Sequence, residues 1–98
     1  MKTKIFLSGP ISADIHRNRR RFHRWAKRLT RRGYAVLNPA TLPLGMEYED
    51  YMDICSKMID KSDGLFFLKG WPDSPGACRE HDYAVAKGLP IFYEEDWK

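Results

Sequence analysis

Two short stretches of this chain hold most of the side chains that can do chemistry. The first is Ser8-Gly9-Pro10-Ile11-Ser12, two hydroxyls around a glycine–proline turn. Free N–H groups at the start of a following helix favour an anion there. Gly9 lets a ligand come close to the backbone, and Arg17 can add positive charge. An ordinary strand-to-helix turn would look the same. The stretch lacks the G-x-x-x-x-G-K-[ST] pattern, which argues against a triphosphate loop. The second is Trp71-Pro72-Asp73-Ser74-Pro75-Gly76, with Glu80 following about one turn into a helix. Ser74 before Pro75 has the residue types of an N-cap and a proline at the first helical position. The helix dipole favours Glu80 as a carboxylate. A carboxylate so placed can attack an anomeric carbon or stabilise an oxocarbenium ion. A salt bridge to Arg79 or Lys87 is its plainer role. Trp71 can stack on a base or simply cover the sheet. His16, His23 and His81 are scattered without ligand spacing, so neither a metal nor a cofactor is expected. No G-x-S-x-G elbow occurs, and no cysteine sits beside an obvious base.

These groups need a scaffold that brings position 8 to position 80. Lys4 to Ser8 is a short apolar run ending at a turn, a buried strand. From Ile15 to Arg32, the residues Phe22, Trp25, Ala26 and Leu29 repeat at i, i+3, i+4, i+7, one face of a helix that Gly33 closes. Ala35 to Leu37 is a second strand, stopped by Asn38-Pro39, and Thr41 to Glu47 is a loop. A second helix runs from Tyr48 to Lys61, with Tyr48, Tyr51, Met52, Cys55, Met58 and Ile59 as its buried stripe. Gly64 to Leu68 has no polar alternation, as in a strand covered on both faces. A third helix, Ala77 to Lys87, is stopped by Gly88, and Pro90 to Tyr93 is a fourth strand. Asp63 falls at the far end of the sheet from the turns above, as a turn residue.

This alternation predicts an α/β fold: a flavodoxin-like or Rossmann-like three-layer sandwich, with a four- to five-stranded parallel sheet in the order 2-1-3-4 and helices on both faces. Ligands bind such sheets at the carboxyl ends of the strands. That selects three loops, Ser8 to Ser12, Asn38 to Met46 and Lys69 to Glu80.

With 98 residues, the chain has room for one domain, 1–98. Its hydrophobic fraction of 43% suffices for a core. No apolar run reaches the ~18 residues of a membrane span. The start lacks the pattern of a secretory signal, and two cysteines without metal spacing suit a reduced, cytoplasmic protein. The net charge of +4 is concentrated between Arg17 and Arg32, and the remainder is net acidic. That block attracts anions, although most of it reads as a solvated helix face.

With these residues placed, the chain resembles the nucleoside 2-deoxyribosyltransferase-like superfamily, and most of all the short phage and bacterial proteins of the DUF4406 family. The resemblance rests on Ile5 to Ile11, Asn18 with Phe22, Gly33-Tyr34 with Asn38-Pro39-Ala40, and Tyr51-Met52. It continues through Ser62-Asp63, Gly70-Trp71, Ser74 with Gly76, Glu80 and Gly88 to Ile91. It implies a site for a nucleoside or nucleotide, in which Glu80 matches the glutamate that attacks C1′ and displaces the base. Ser74 matches the phosphate-binding serine of the deoxynucleoside-monophosphate N-glycosidases. The loop of Ser8, Gly9, Pro10, Ile11 and Ser12 matches the sugar-and-phosphate loop. Phe6, Asn18, Asn38, Cys55, Trp71 and Gly76 join the substrate-binding set. Two positions depart from the enzymes: Phe6 stands where they carry a tyrosine, and Cys55 where they carry an aspartate. A thiol does not replace a carboxylic acid in protonating a leaving base at neutral pH.

The resemblance thus implies an N-glycosidase or deoxyribosyltransferase acting on a (deoxy)nucleoside 5′-monophosphate. A non-catalytic nucleotide-binding protein with the same pocket is the alternative that Phe6 and Cys55 favour. A nucleic-acid partner is not expected, because no base-reading motif appears and Phe22, Trp25 and Leu29 belong to the core. Relatives complete their sites across dimer interfaces, which implies a homodimer or higher homo-oligomer, with Tyr48 and Tyr51 at or near the interface.

Overall fold

Alternate residues of the first strand go to opposite faces of one sheet, and that parity sets the layers. In a computed structural model that describes residues 1–11 and 14–97, the strands are β1 (Lys4–Ser8), β2 (Ala35–Leu37), β3 (Gly64–Phe67) and β4 (Ile91–Tyr93). All neighbours are parallel, in the order β2-β1-β3-β4. Phe6 lies beside Leu37 on one side and Leu65 on the other, and Leu65 beside Ile91. Between the strands run α1 (Ile15–Arg31), α2 (Tyr48–Asp60) and α3 (Pro75–Lys87). The expected α/β sandwich and strand order are present, with four strands among the described residues.

Ile5, Leu7, Phe66 and Leu68 face α1 and pack on Phe22, Trp25 and Leu29. Phe6, Leu65 and Phe67 face the other way, onto Cys55 and Ile59 of α2 and Ala84 of α3. Every residue of β3 is buried, which explains its unbroken apolar run. Trp97 extends the α1 side, with its ring edge-on to Trp25 and Phe66 at 6.1 and 5.3 Å. Among the described residues, no helix is long and apolar enough to cross a membrane.

The ends of the elements follow local rules. Gly33, at φ +97°, turns the chain out of α1 into a region that other residues rarely enter. Ser74 caps α3 by accepting from the Ala77 N–H, and Pro75 opens the helix, two residues before the expected start. The loops read as irregular contain single 3-10 turns at Pro39–Thr41 and Trp71–Asp73, and a third follows β4 at Glu94–Asp96. Helical spacing placed Tyr48 in the buried stripe of α2. It is instead 50% exposed, because it is the first residue of the helix and stands at the rim, past the sheet.

Ser8, Asn38 and Leu68 lie at one carboxyl edge of the sheet, as parallel pairing requires. Asp63 is at the opposite edge, where Oδ2 accepts from the Lys4 backbone N–H at 2.8 Å. It closes the start of β1 against β3, the turn role expected of it.

Candidate functional site

The inward face of α3 is built from Ala77, Glu80 and Ala84, at i, i+3 and i+7. Two alanines let the helix sit close to the sheet. The residue between them is therefore pressed against the carboxyl end of β1. There the Ser8 hydroxyl donates to Glu80 Oε1 at 2.6 Å, with both residues buried.

Burial dominates the state of this carboxyl. Loss of water pushes the Glu80 pKa up to about 7, despite the Ser8 hydrogen bond, an interaction with Cys55 and the charge of Arg79, all of which favour ionisation. The helix start, expected to favour the carboxylate, is outweighed by this burial. The plainer salt-bridge role also fails. Arg79 pairs with Glu49 at 3.0 Å, and Lys87 with Asp60 at 2.7 Å.

Two groups of α2 face the same carboxyl. Tyr51 and Cys55 are four residues apart, on one side of the helix. The Cys55 thiol is fully buried and is pushed up to about 12, by burial first and then by the Glu80 charge. Burial, with the neighbouring charges of Cys55 and Glu80, also raises the Tyr51 phenol above its ordinary value. Both groups are neutral near pH 7.

Glu80 opens onto a cleft of about 350 Å³. Gly9 and Ile11 form one wall, and Ser74, Gly76 and Ala77 at the start of α3 form another. Tyr48, Tyr51 and Met52 line the α2 side, and the loop from Leu42 to Met46 lines a further side. Among the described residues Arg19 is the one cation of the lining, and no carboxylate pairs with it; its Nη1 donates to the Leu42 carbonyl at 3.3 Å. The cleft therefore combines a carboxyl of tuned acidity, one guanidinium, a helix start and an apolar flank.

Gly9, Ile11, Ser74, Gly76 and Glu80 were expected at the site and line the cleft. Ser8, Phe6 and Cys55 lie behind it, at 1%, 0% and 0% exposure. They shape or tune Glu80 and offer no surface to a ligand. The missing side chain of Gly9 serves packing first, since a β-carbon there would stand 2.9 Å from Leu68 Cβ. Asn18 donates to the Ile11 carbonyl at 3.3 Å and steadies the first loop. Asn38 caps the turn after β2, accepting from the Ala40 N–H at 3.0 Å, with His23 Nδ1 3.2 Å from its amide nitrogen. Pro10 packs towards Gly70, outside the lining. Ser12 lies outside the described residues.

Trp71 is corrected as a base-stacking platform. Its ring already stacks on His81 at 4.3 Å and lies beside Phe67 and Tyr93, away from the cleft. His81 Nε2 in turn is 2.8 Å from the Tyr93 hydroxyl. Arg17 is exposed and also off the lining; the cation at the cleft is Arg19. A step of two residues turns a helix by about 200°, which separates the two. The signal for Arg19 was in its spacing, four residues after Ile15 on the side of α1 that meets the loop.

A family model described as Domain of unknown function (DUF4406) matches residues 3–93. No curated protein matches the chain.

Proposed function

This chain belongs to the DUF4406 family, and we propose that it is a nucleoside 2-deoxyribosyltransferase-like protein that cleaves the N-glycosidic bond of a (deoxy)nucleoside 5′-monophosphate. One observation carries the reading: a buried glutamate, free of any cationic partner among the described residues and held by Ser8, opens onto a cleft that contains a single arginine. A carboxyl titrating near 7 is partly ionised at neutral pH. In that form Glu80 attacks C1′; the C1′–O bond forms as the C1′–N bond breaks and the base departs. Water, or the base of a second nucleoside, then takes the sugar from the glutamate. Ser8 aims the attacking oxygen. Arg19, Ser74 and the first N–H groups of α3 suit the 5′-phosphate. Leu42, Met46 and Met52 offer the base an apolar wall. A phage or bacterial cytoplasm would supply such nucleotides.

The test is release of free base, followed by chromatography, from a panel of ribo- and deoxyribonucleoside 5′-monophosphates. Wild type should release base from at least one, and Glu80→Gln should lower that rate by ~10³-fold or more while binding persists. No release from any member of the panel would reject catalysis. The second reading, a nucleotide-binding protein without turnover, is favoured by Cys55. A buried thiol at about 12 donates no proton to a departing base at pH 7. Saturable binding of a monophosphate without base release would establish it.

A further inference from the structure

The outward face of α1 carries a line of cations that the cleft does not use. Arg17, Arg20, Arg24, Lys27, Arg28 and Arg31 are all exposed. At 100° per residue they fall within an arc of about 100°, opposite the buried stripe of Phe22, Trp25 and Leu29. At 1.5 Å per residue the line extends for about 21 Å, with a positive charge about every 4 Å on average. No acidic residue occurs anywhere in α1. Among the described residues, the one ion pair that α1 makes is Arg21 with Glu94 at 3.2 Å, off this line. Outside α1 the chain has nine basic against thirteen acidic residues, so the charge is segregated onto one face.

We propose that this face of α1 docks on the phosphate backbone of nucleic acid. Five of the six cations are arginines, whose planar forks match phosphate oxygens better than lysine does. The apolar residues of α1 are buried in the core, so the helix has no face to insert into a lipid surface. The acidic remainder of the molecule repels a polyanion and turns α1 towards it. No base-reading element is needed, because backbone contacts carry affinity without sequence preference. The commitment of Phe22, Trp25 and Leu29 to the core, which weighs against base reading, is what presents the opposite arc to solvent. The proposal does not rest on the cleft.

The experiment is fluorescence anisotropy of a labelled duplex of mixed sequence, titrated with the full chain from 50 to 200 mM salt. If all six cations meet phosphates, affinity should fall by roughly 10³-fold over that range. The variant Arg20→Gln/Arg24→Gln/Arg31→Gln should lose only about 40-fold over the same range, having about half the contacts. It should keep the wild-type melting temperature, since the three side chains are exposed and unpaired among the described residues. Glu80→Gln should bind the duplex as wild type does. Absence of binding at 50 mM salt, an unchanged salt slope in the triple variant, or equal binding to polyglutamate would overturn the proposal.

Discussion

Ser8 and Glu80 meet in a buried hydrogen bond of 2.6 Å, although 72 positions separate them in the chain. The bond joins the end of the central strand β1 to the second turn of α3. It ties the sheet to the chemistry proposed for it, and the state of Glu80 can be read through stability as well as through turnover.

Glu80 has its pKa raised from near 4.5 to about 7 by burial. Between those values the folded chain holds a proton that the unfolded chain has released. Stability from this group is therefore full below pH 4.5 and is lost as pH rises through 7. Glu80→Gln removes that dependence and keeps the Ser8 contact. The variant should gain on wild type as pH rises from 4.5 to 7, by about 3 kcal/mol in total. Thermal melting of both proteins at pH 4.5, 6 and 8 measures the gap, and a gap that is constant with pH would contradict a buried, proton-holding carboxyl.

Ser8→Ala removes a donor that favours the charged carboxylate. The Glu80 pKa should rise above its wild-type position, so any activity that needs the ionised form should have its midpoint moved to higher pH. Ser8→Thr keeps the hydroxyl and should restore the profile in part. The lost bond to a charged group should cost about 1.5–3 kcal/mol at pH 8. Rate–pH profiles and denaturant melts of the three proteins give both numbers.

Arg19→Gln should weaken a nucleoside 5′-monophosphate by roughly 10–100-fold and the matching nucleoside hardly at all, as expected when a charged hydrogen bond to phosphate is lost. Ser74→Ala should act in the same direction, with an added loss of about 1 kcal/mol in stability from the uncapped helix. Calorimetric titration with both ligands decides; equal losses for the two would remove the phosphate from this corner.

Cys55→Asp places an acid beside Glu80, where the pair can share a proton. One carboxyl is then ionised to attack C1′, and the other holds a proton that water in the cleft can relay to the departing base, since position 55 itself does not face the ligand. Base release should rise by about 10²-fold, while the buried carboxyl lowers stability by about 2–3 kcal/mol. If a folded variant releases base no faster than wild type, missing acid catalysis is not what limits this site.

A homodimer is expected in solution, with α2 and its Tyr48 and Tyr51 at or near the interface. Tyr48 is half exposed at the rim of the cleft, and Leu44 beside it is 56% exposed. Sedimentation should give twice the 11.5 kDa of one chain, and Tyr48→Glu should shift the equilibrium to monomer. A single chain's mass at high concentration would count against the interface.

Much of the fold could be read from the chain because each signal was local. The period of α1, the glycine after it, Ser74 before Pro75 and the unbroken apolar run of β3 all act within a few residues. The lining of the cleft was legible where a local helix start set it, as with Ser74 and Glu80. It was not legible where burial or a competing partner decided. His81 occupies a face of Trp71, and Leu68 stands where a side chain at Gly9 would go; neither partner is near in sequence. The state of Glu80 turned on how closely two alanines let α3 approach the sheet, which no residue type announces. Arg19 was hidden among eight other cations, and only its distance from Ile15 marked it out.

The all-parallel sheet also dictates an order of assembly. β1 finds its partners at Ala35 and Gly64, far along the chain, and no pair of strands can close as a hairpin. During synthesis α1 can coil early, but Phe22, Trp25 and Leu29 have no Phe66 to meet until β3 has emerged. For that interval the nascent chain displays an apolar stripe, and loop closure over such spans slows folding. The arginines on the opposite side of the same helix carry like charge, which disfavours contact between two such chains through that face.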